Sequence, residues 1–176
     1  YDVGTRLAKR LEDRGCHVSI ASRWAAAPTV TATGRSAVMP VADSVIGRAL
    51  GADFAPELRP DGKPTTAQNL RAMTESKGYQ LLDAGSFDAP MDQQARGWAE
   101  CGELDSLGHK LEAALARQIP EQLDRIVNRI VQLLDQGWET VRVVTDHGWL
   151  LVPGGLPKVD LQKHLTASRW ARCAVI

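Results

Sequence analysis

The chain has 176 residues, 44% of them hydrophobic and 24% charged, an ordinary balance for a globular domain with a packed core. Lysine plus arginine number 21 and aspartate plus glutamate number 21, so no global basic field draws nucleic acid, and such a ligand must be met by a local patch. No run approaches the roughly 18 apolar residues of a membrane span, and no signal peptide opens the sequence.

The three cysteines, Cys16, Cys101 and Cys173, are odd in number and widely spaced, without a C-x-x-C. This composition points to a reduced, cytoplasmic setting with structural thiols. The sequence opens at Tyr1 within a helix start and stops at Ile176 in the apolar run "ARCAVI", as expected of a fragment of something longer.

One unit recurs along the chain: helix, glycine, strand. "VGTRLAKRLEDRG" repeats Val3, Leu7 and Leu11 at helical spacing and stops at Gly15; "CHVSIAS" follows as a strand. "TTAQNLRAMTESKG" opens on a threonine cap and closes at Gly78, before the strand "YQLLD". "IPEQLDRIVNRIVQLLDQG" places Pro120 in the first turn, aligns Leu123, Ile126, Val127, Ile130 and Leu134 on one stripe, and ends at Gly137; "WETVRVVTD" follows as a strand. Three such connections predict an α/β fold, a sheet covered by helices.

Loops are expected between these units. "GADFAPELRPDGKP" is rich in glycine and proline and reads as exposed. "DAGSFDAPMDQQARGWAECGELDSLG" is long and has little periodicity. The tail carries Lys158, Lys163, Arg169 and Arg172 against Asp160. A solvated surface accounts for these charges; a contact for phosphate backbone or a partner protein is the other reading.

Asp146 and His147 end the last predicted strand, where open α/β sheets gather their ligands. A carboxylate and a neutral imidazole suit a zinc-like ion, and Gly148 would let backbone pass close by. A structural Asp–His hydrogen bond is the competing explanation. In "ELDSLGHKLE", His109 follows Asp105 by four residues, which on a helix puts both on one face. Gly108 would also permit a non-helical turn, and a capping aspartate beside a surface histidine is the plainer alternative. "APTVTATGR" offers hydroxyls at Thr29, Thr31 and Thr33 and then Arg35. A hydroxyl beside a divalent metal is an activated nucleophile, and an arginine can hold an oxyanion. A threonine-rich helix cap and a surface arginine are the alternatives.

Taken together, "PTVT", "DSLGH" and "TDHG" resemble the alkaline phosphatase superfamily, in the order of its nucleophile, D-x-x-G-H and D-H motifs. The extended stretch "TDHGWLLVPGGLPKVDLQKHLTASRWARCAVI", with "PTVTATGR" and "GELDSLGHKLE", is similar to the PglZ proteins of BREX phage-defence systems, the type B branch in particular. The resemblance covers nearly the whole chain, so that residues 1–176 form part of one such domain. It implies an alkaline-phosphatase-like sheet flanked by helices, incomplete in this stretch.

The resemblance further implies two divalent ions, zinc in type, one held by Asp105 and His109 and the other by Asp146 and His147. Thr31 corresponds to the nucleophile, with Thr29 the next candidate, and Arg35 is a possible oxyanion contact. The implied reaction is hydrolysis of a phosphate ester or diester through a phosphothreonine. A sulfatase is disfavoured, because threonines stand where its Cys or Ser would be. One further metal-binding Asp of the superfamily would precede Tyr1 and a late His would follow Ile176, so this stretch alone is expected to bind metal weakly, show no esterase activity and aggregate. His17 and His164 match no motif and are left without a role. A non-catalytic scaffold for other BREX proteins is the alternative function, and docking on DNA through the basic tail a third.

Overall fold

The computed structural model describes residues 2–47, 55–59, 61–83, 88–148, 168–170 and 173–175. The chain divides into two compact units; of the described residues, the first holds those within 2–24 and 82–142, and the second those within 25–81 and 143–148 together with 168–170 and 173–175.

In the first unit, helix α1 (Asp2–Glu12) packs its apolar stripe on the long helix α5 (Leu115–Asp135). Leu11, Val127 and Ile130 form a buried cluster, joined by Leu7, Cys16, Val18, Ile126 and Val141. A second cluster, Leu115, Ile119 and Leu123, is covered by Val3 and Leu7 and by Leu104, Leu107 and Leu111 of helix α4 (Leu104–Leu111). Leu7 serves both clusters, because side chains three and four residues apart share a helix face. Arg10 pairs with Asp124 at the rim of this contact.

The glycine stops behave as expected at Gly15 (φ +81°) and Gly137 (φ +103°), where a left-handed residue ends each helix without a Cβ penalty. The start of α5 does not. It begins at Leu115, so Pro120 lies inside the helix rather than in its first turn. Proline in a helix interior costs about 3 kcal/mol. Leu115 is 2% exposed and Ile119 6%, and burying two such side chains contributes about 3–6 kcal/mol, enough to draw the preceding turn into the helix.

The predicted long loop is also more ordered than its periodicity suggests. It contains strand β4 (Arg96–Ala99) and α4, and its start is tied to α5. Arg129 donates to Asp88 at 2.6 Å and to the Asp83 carbonyl at 2.8 Å, while Trp138 Nε1 donates to the Asp88 carbonyl at 2.6 Å.

In the second unit, helix α2 (Thr31–Val38) leads through a 3₁₀ turn (Ala42–Ser44) into strand β1 (Val45–Ile46). This strand pairs antiparallel with β2 (Glu57–Leu58), Val45 opposite Leu58. The segment read as an exposed loop therefore contributes a strand, because Leu58, 2% exposed, is drawn inward among its polar neighbours. Helix α3 (Ala67–Ser76) is capped by Thr66, whose hydroxyl accepts from Asn69 N, and strand β3 (Tyr79–Leu82) follows Gly78 as predicted. Met39, Val41 and Leu70 are buried in this unit.

Two predicted strands do not form. "CHVSIAS" and "TVRVVT" join no ladder among the described residues. A strand needs a neighbour for its backbone groups, and Ile20, Val143 and Val144 are 55%, 50% and 42% exposed. Alternation placed Val18 and Val141 on the helices without supplying a ladder partner. Near the C-terminus, β5 (Ser168–Trp170) pairs antiparallel with β6 (Cys173–Val175). These pairs are smaller than the sheet that the resemblance implies. Among the described residues, no helix is long and apolar enough to cross a membrane.

Candidate active site

Thr31 is the first residue of α2. The N-cap is Val30, extended at φ −119° and ψ 153°, and no side chain caps it, so the threonine-rich stretch does not supply a side-chain cap here. The Val30 carbonyl accepts from Thr33 N and Gly34 N at 3.1 and 2.8 Å, which closes the first turn. Val30 is 4% exposed and anchors this end of the helix, while Thr31 itself is exposed.

The Thr31 hydroxyl lies 3.1 Å from His147 Nε2, across 116 residues of sequence. The His147 side chain is 7% exposed and the Asp146 side chain 28%, with Asp146 Oδ2 3.7 Å from Nε2. The Asp146 carboxylate also accepts from His147 N at 3.0 Å through Oδ1, which fixes the two residues relative to each other. With the ring proton on Nδ1, Nε2 accepts from the threonine hydroxyl, the polarity that raises oxygen nucleophilicity; with the proton on Nε2, the ring donates instead. Asp146 stands on a bend with His147 directly after it, not at the end of a paired strand.

Arg35 lies one turn along α2 from Thr31, half-buried and in the last turn, where its charge complements the helix dipole. Gly148 has nothing within 4 Å of where a Cβ would stand, so the close backbone passage expected there is absent among the described residues. It occurs at Gly34 instead, where a Cβ would sit 2.6 Å from the Asp146 carbonyl oxygen. A glycine inside a helical stretch one turn after Thr31 was the sequence signal for it.

Asp105 and His109 are both in α4, in the first unit, so their spacing is helical and Gly108 does not break it. His109 Nε2 is 3.8 Å from Asp105 Oδ2, with side chains 72% and 48% exposed. The structure thus brings Thr31, Asp146 and His147 together in one unit and Asp105 and His109 together in the other. His17 is exposed on the unladdered first segment. His164 and most of the basic tail lie outside the described residues.

A carboxylate, an imidazole nitrogen and a hydroxyl within reach of one another have the donor chemistry that a zinc-like ion takes. Asp146 and His147 fit that group in type. Among the described residues, no third His, Cys, Asp or Glu joins either pair. No family model matches the chain, and neither does any curated protein or solved structure.

Proposed function

We propose that the protein is a metal-dependent hydrolase of phosphate esters or diesters, acting in bacterial anti-phage defence as a PglZ-type, alkaline-phosphatase-like protein. The observation that carries this reading is the 3.1 Å approach of the Thr31 hydroxyl to His147 Nε2. Separate motifs, PTVT and TDHG, meet side chain to side chain where the reaction needs a nucleophile beside a ligand pair.

Asp146 and His147 would hold one divalent ion and Asp105 and His109 the other. Bound there, zinc would supply Lewis acidity to the phosphoryl group and would lower the pKa of water. Thr31 attacks phosphorus as its hydroxyl proton passes to solvent, the bond from phosphorus to the ester oxygen breaks and that oxygen takes a proton from water; a second water then cleaves the phosphothreonine, releasing phosphate or a phosphomonoester and restoring the hydroxyl. Before the ion is taken up, His147, held by its neighbour's carboxylate, orients the hydroxyl; an ion on Nε2 would replace that contact. The N-terminal end of α2, where Thr31 stands, would offer a positive dipole end to the charge of a phosphoryl group bound there. Arg35, one turn away, is the candidate oxyanion contact.

A second reading is a non-catalytic scaffold that binds other BREX components. The exposure of Asp105 and His109, 48% and 72%, favours it, because a surface pair on one helix face needs no metal to explain it. Hydrolysis of bis(p-nitrophenyl) phosphate by the complete protein loaded with zinc separates the two. Turnover that disappears in Thr31→Ala supports the hydrolase. A folded, metal-loaded protein without turnover on mono- or diesters supports the scaffold.

A further inference from the structure

Gly34 stands three residues after Thr31 on α2, on the same side of the helix. A Cβ built there would lie 2.6 Å from the Asp146 carbonyl oxygen and 3.1 Å from both the Asp146 carbonyl carbon and its Cβ. Carbon–oxygen contacts settle at about 3.3–3.6 Å. Two of the three obstructing atoms are backbone, so no rotamer change clears them. We propose that Gly34 is a positioning residue of the Thr31 site: its missing side chain lets the Asp146 backbone rest on α2 and thereby sets the His147 ring against the Thr31 hydroxyl. This rests on reading Thr31, Asp146 and His147 as one site.

The linkage runs through short steps. Asp146 is bonded to His147 and also accepts from its backbone N–H at 3.0 Å. Any shift of Asp146 away from α2 therefore carries the imidazole with it. A methyl group at position 34 needs roughly 0.7 Å of clearance. The Thr31–His147 contact is 3.1 Å, and displacement of that size takes it past the length at which a hydrogen bond survives. Glycine within a helix costs about 0.5–1 kcal/mol relative to alanine. That cost has a compensating role at Gly34, which is buried, and none at exposed Gly4 of α1, where a Cβ meets nothing within 4 Å.

The test uses the histidine ring resonances of the protein, with Gly34→Ala, Thr31→Val and Gly4→Ala compared. Thr31→Val removes the hydroxyl and marks where the His147 ring signals move once that contact is lost. In Gly34→Ala the His147 signals should move the same way, while those of His17 and His109 stay in place and Gly4→Ala leaves the His147 signals unmoved. A folded Gly34→Ala protein with unmoved His147 signals overturns the proposal. The wild type supplies a second measurement that needs no variant to fold. Nuclear Overhauser contacts between the Gly34 Hα protons and the Asp146 Hβ protons are expected, and their absence also overturns it. These readouts do not depend on turnover. A shifted ring in a protein that hydrolyses no ester would sink the hydrolase reading and leave Gly34 as the spacer. An active enzyme whose Gly34→Ala variant keeps both its ring signals and its rate would do the reverse.

Discussion

The hydroxyl of Thr31 and the imidazole of His147 meet at 3.1 Å although 116 residues separate them. Nε2 has one lone pair. It serves either the hydroxyl proton or a metal ion, so metal loading of His147 through this atom must turn the hydroxyl away from it. The exposed threonine is free to make that turn, while the ring, 7% exposed, is held in place.

Thr31→Ala should abolish turnover without unfolding the protein. The residue is exposed, so its truncation leaves no cavity, and surface substitutions of this kind stay within about 0.5 kcal/mol. Thr31→Ser keeps a hydroxyl and should retain measurable rate. Steady-state hydrolysis with thermal melting alongside checks both. A Thr31→Ala protein that turns over at the wild-type rate removes the nucleophile assignment and directs attention to Thr29.

Arg129 and Asp88 form an enclosed ion pair in the first unit, with side chains 11% and 12% exposed. Removing one partner strands the other charge at low dielectric, which typically costs 3–5 kcal/mol. Asp88→Ala and Arg129→Ala should each lower stability by about that amount, and the double variant should recover part of it. Urea denaturation of the single and double variants measures this. Singles within about 0.5 kcal/mol of wild type would mean that the pair behaves as a surface bridge.

Helices were legible because their stripes are long: Leu7 and Leu11 of α1, and Leu123, Val127 and Ile130 of α5, all reach the core. Glycine stops were legible at Gly15, Gly78 and Gly137, all at positive φ. Strands were not, because alternation reports a face and not a partner. Val18 and Val141 do find the helices, yet their segments join no ladder among the described residues. Pro120 misled because the burial of Leu115 and Ile119 outweighs a local preference. At the candidate site, residue types drew attention to Asp146, His147 and three threonines, among which the resemblance picked Thr31; the glycine within α2 hinted at a close approach, but that Asp146 is what approaches Gly34 is a contact between distant segments that no local pattern encodes.

Cys101 should react slowly with iodoacetamide near neutral pH. Although Cys101 is exposed to solvent, partial desolvation by its surroundings pushes its thiol above the usual value of 9.0, and the Arg129 charge opposes this only in part. The thiolate is the nucleophile, so a raised pKa leaves less of it at a given pH. By linkage, the neutral thiol's contribution to stability is present below the unfolded-state pKa and fades as pH rises through the higher folded one. Mass-resolved alkylation between pH 7 and 10, native against urea-unfolded, tests this. A native rate equal to the unfolded rate would show that desolvation does not hold this thiol in its neutral form.

The two acid–histidine pairs make separable predictions about metal. Asp105 and His109 are exposed and four residues apart on α4, and such a pair contributes only about 0.3–0.5 kcal/mol to a helix. Asp105→Ala and His109→Ala should therefore leave melting almost unchanged, and any loss of bound ion reports a lost ligand. His147 is mostly buried, so Asp146→Asn is the cleaner probe of the other pair. The amide oxygen can still accept from His147 N, while the anionic ligand is gone. Elemental analysis of the complete protein should find two equivalents of zinc in the wild type, and about one equivalent less in each of these three variants. Full metal content in both Asp105→Ala and His109→Ala would reduce α4 to a surface ion pair and leave a centre built on Asp146 and His147. Full content in Asp146→Asn as well would take the metal away from both pairs, and with it the hydrolase reading.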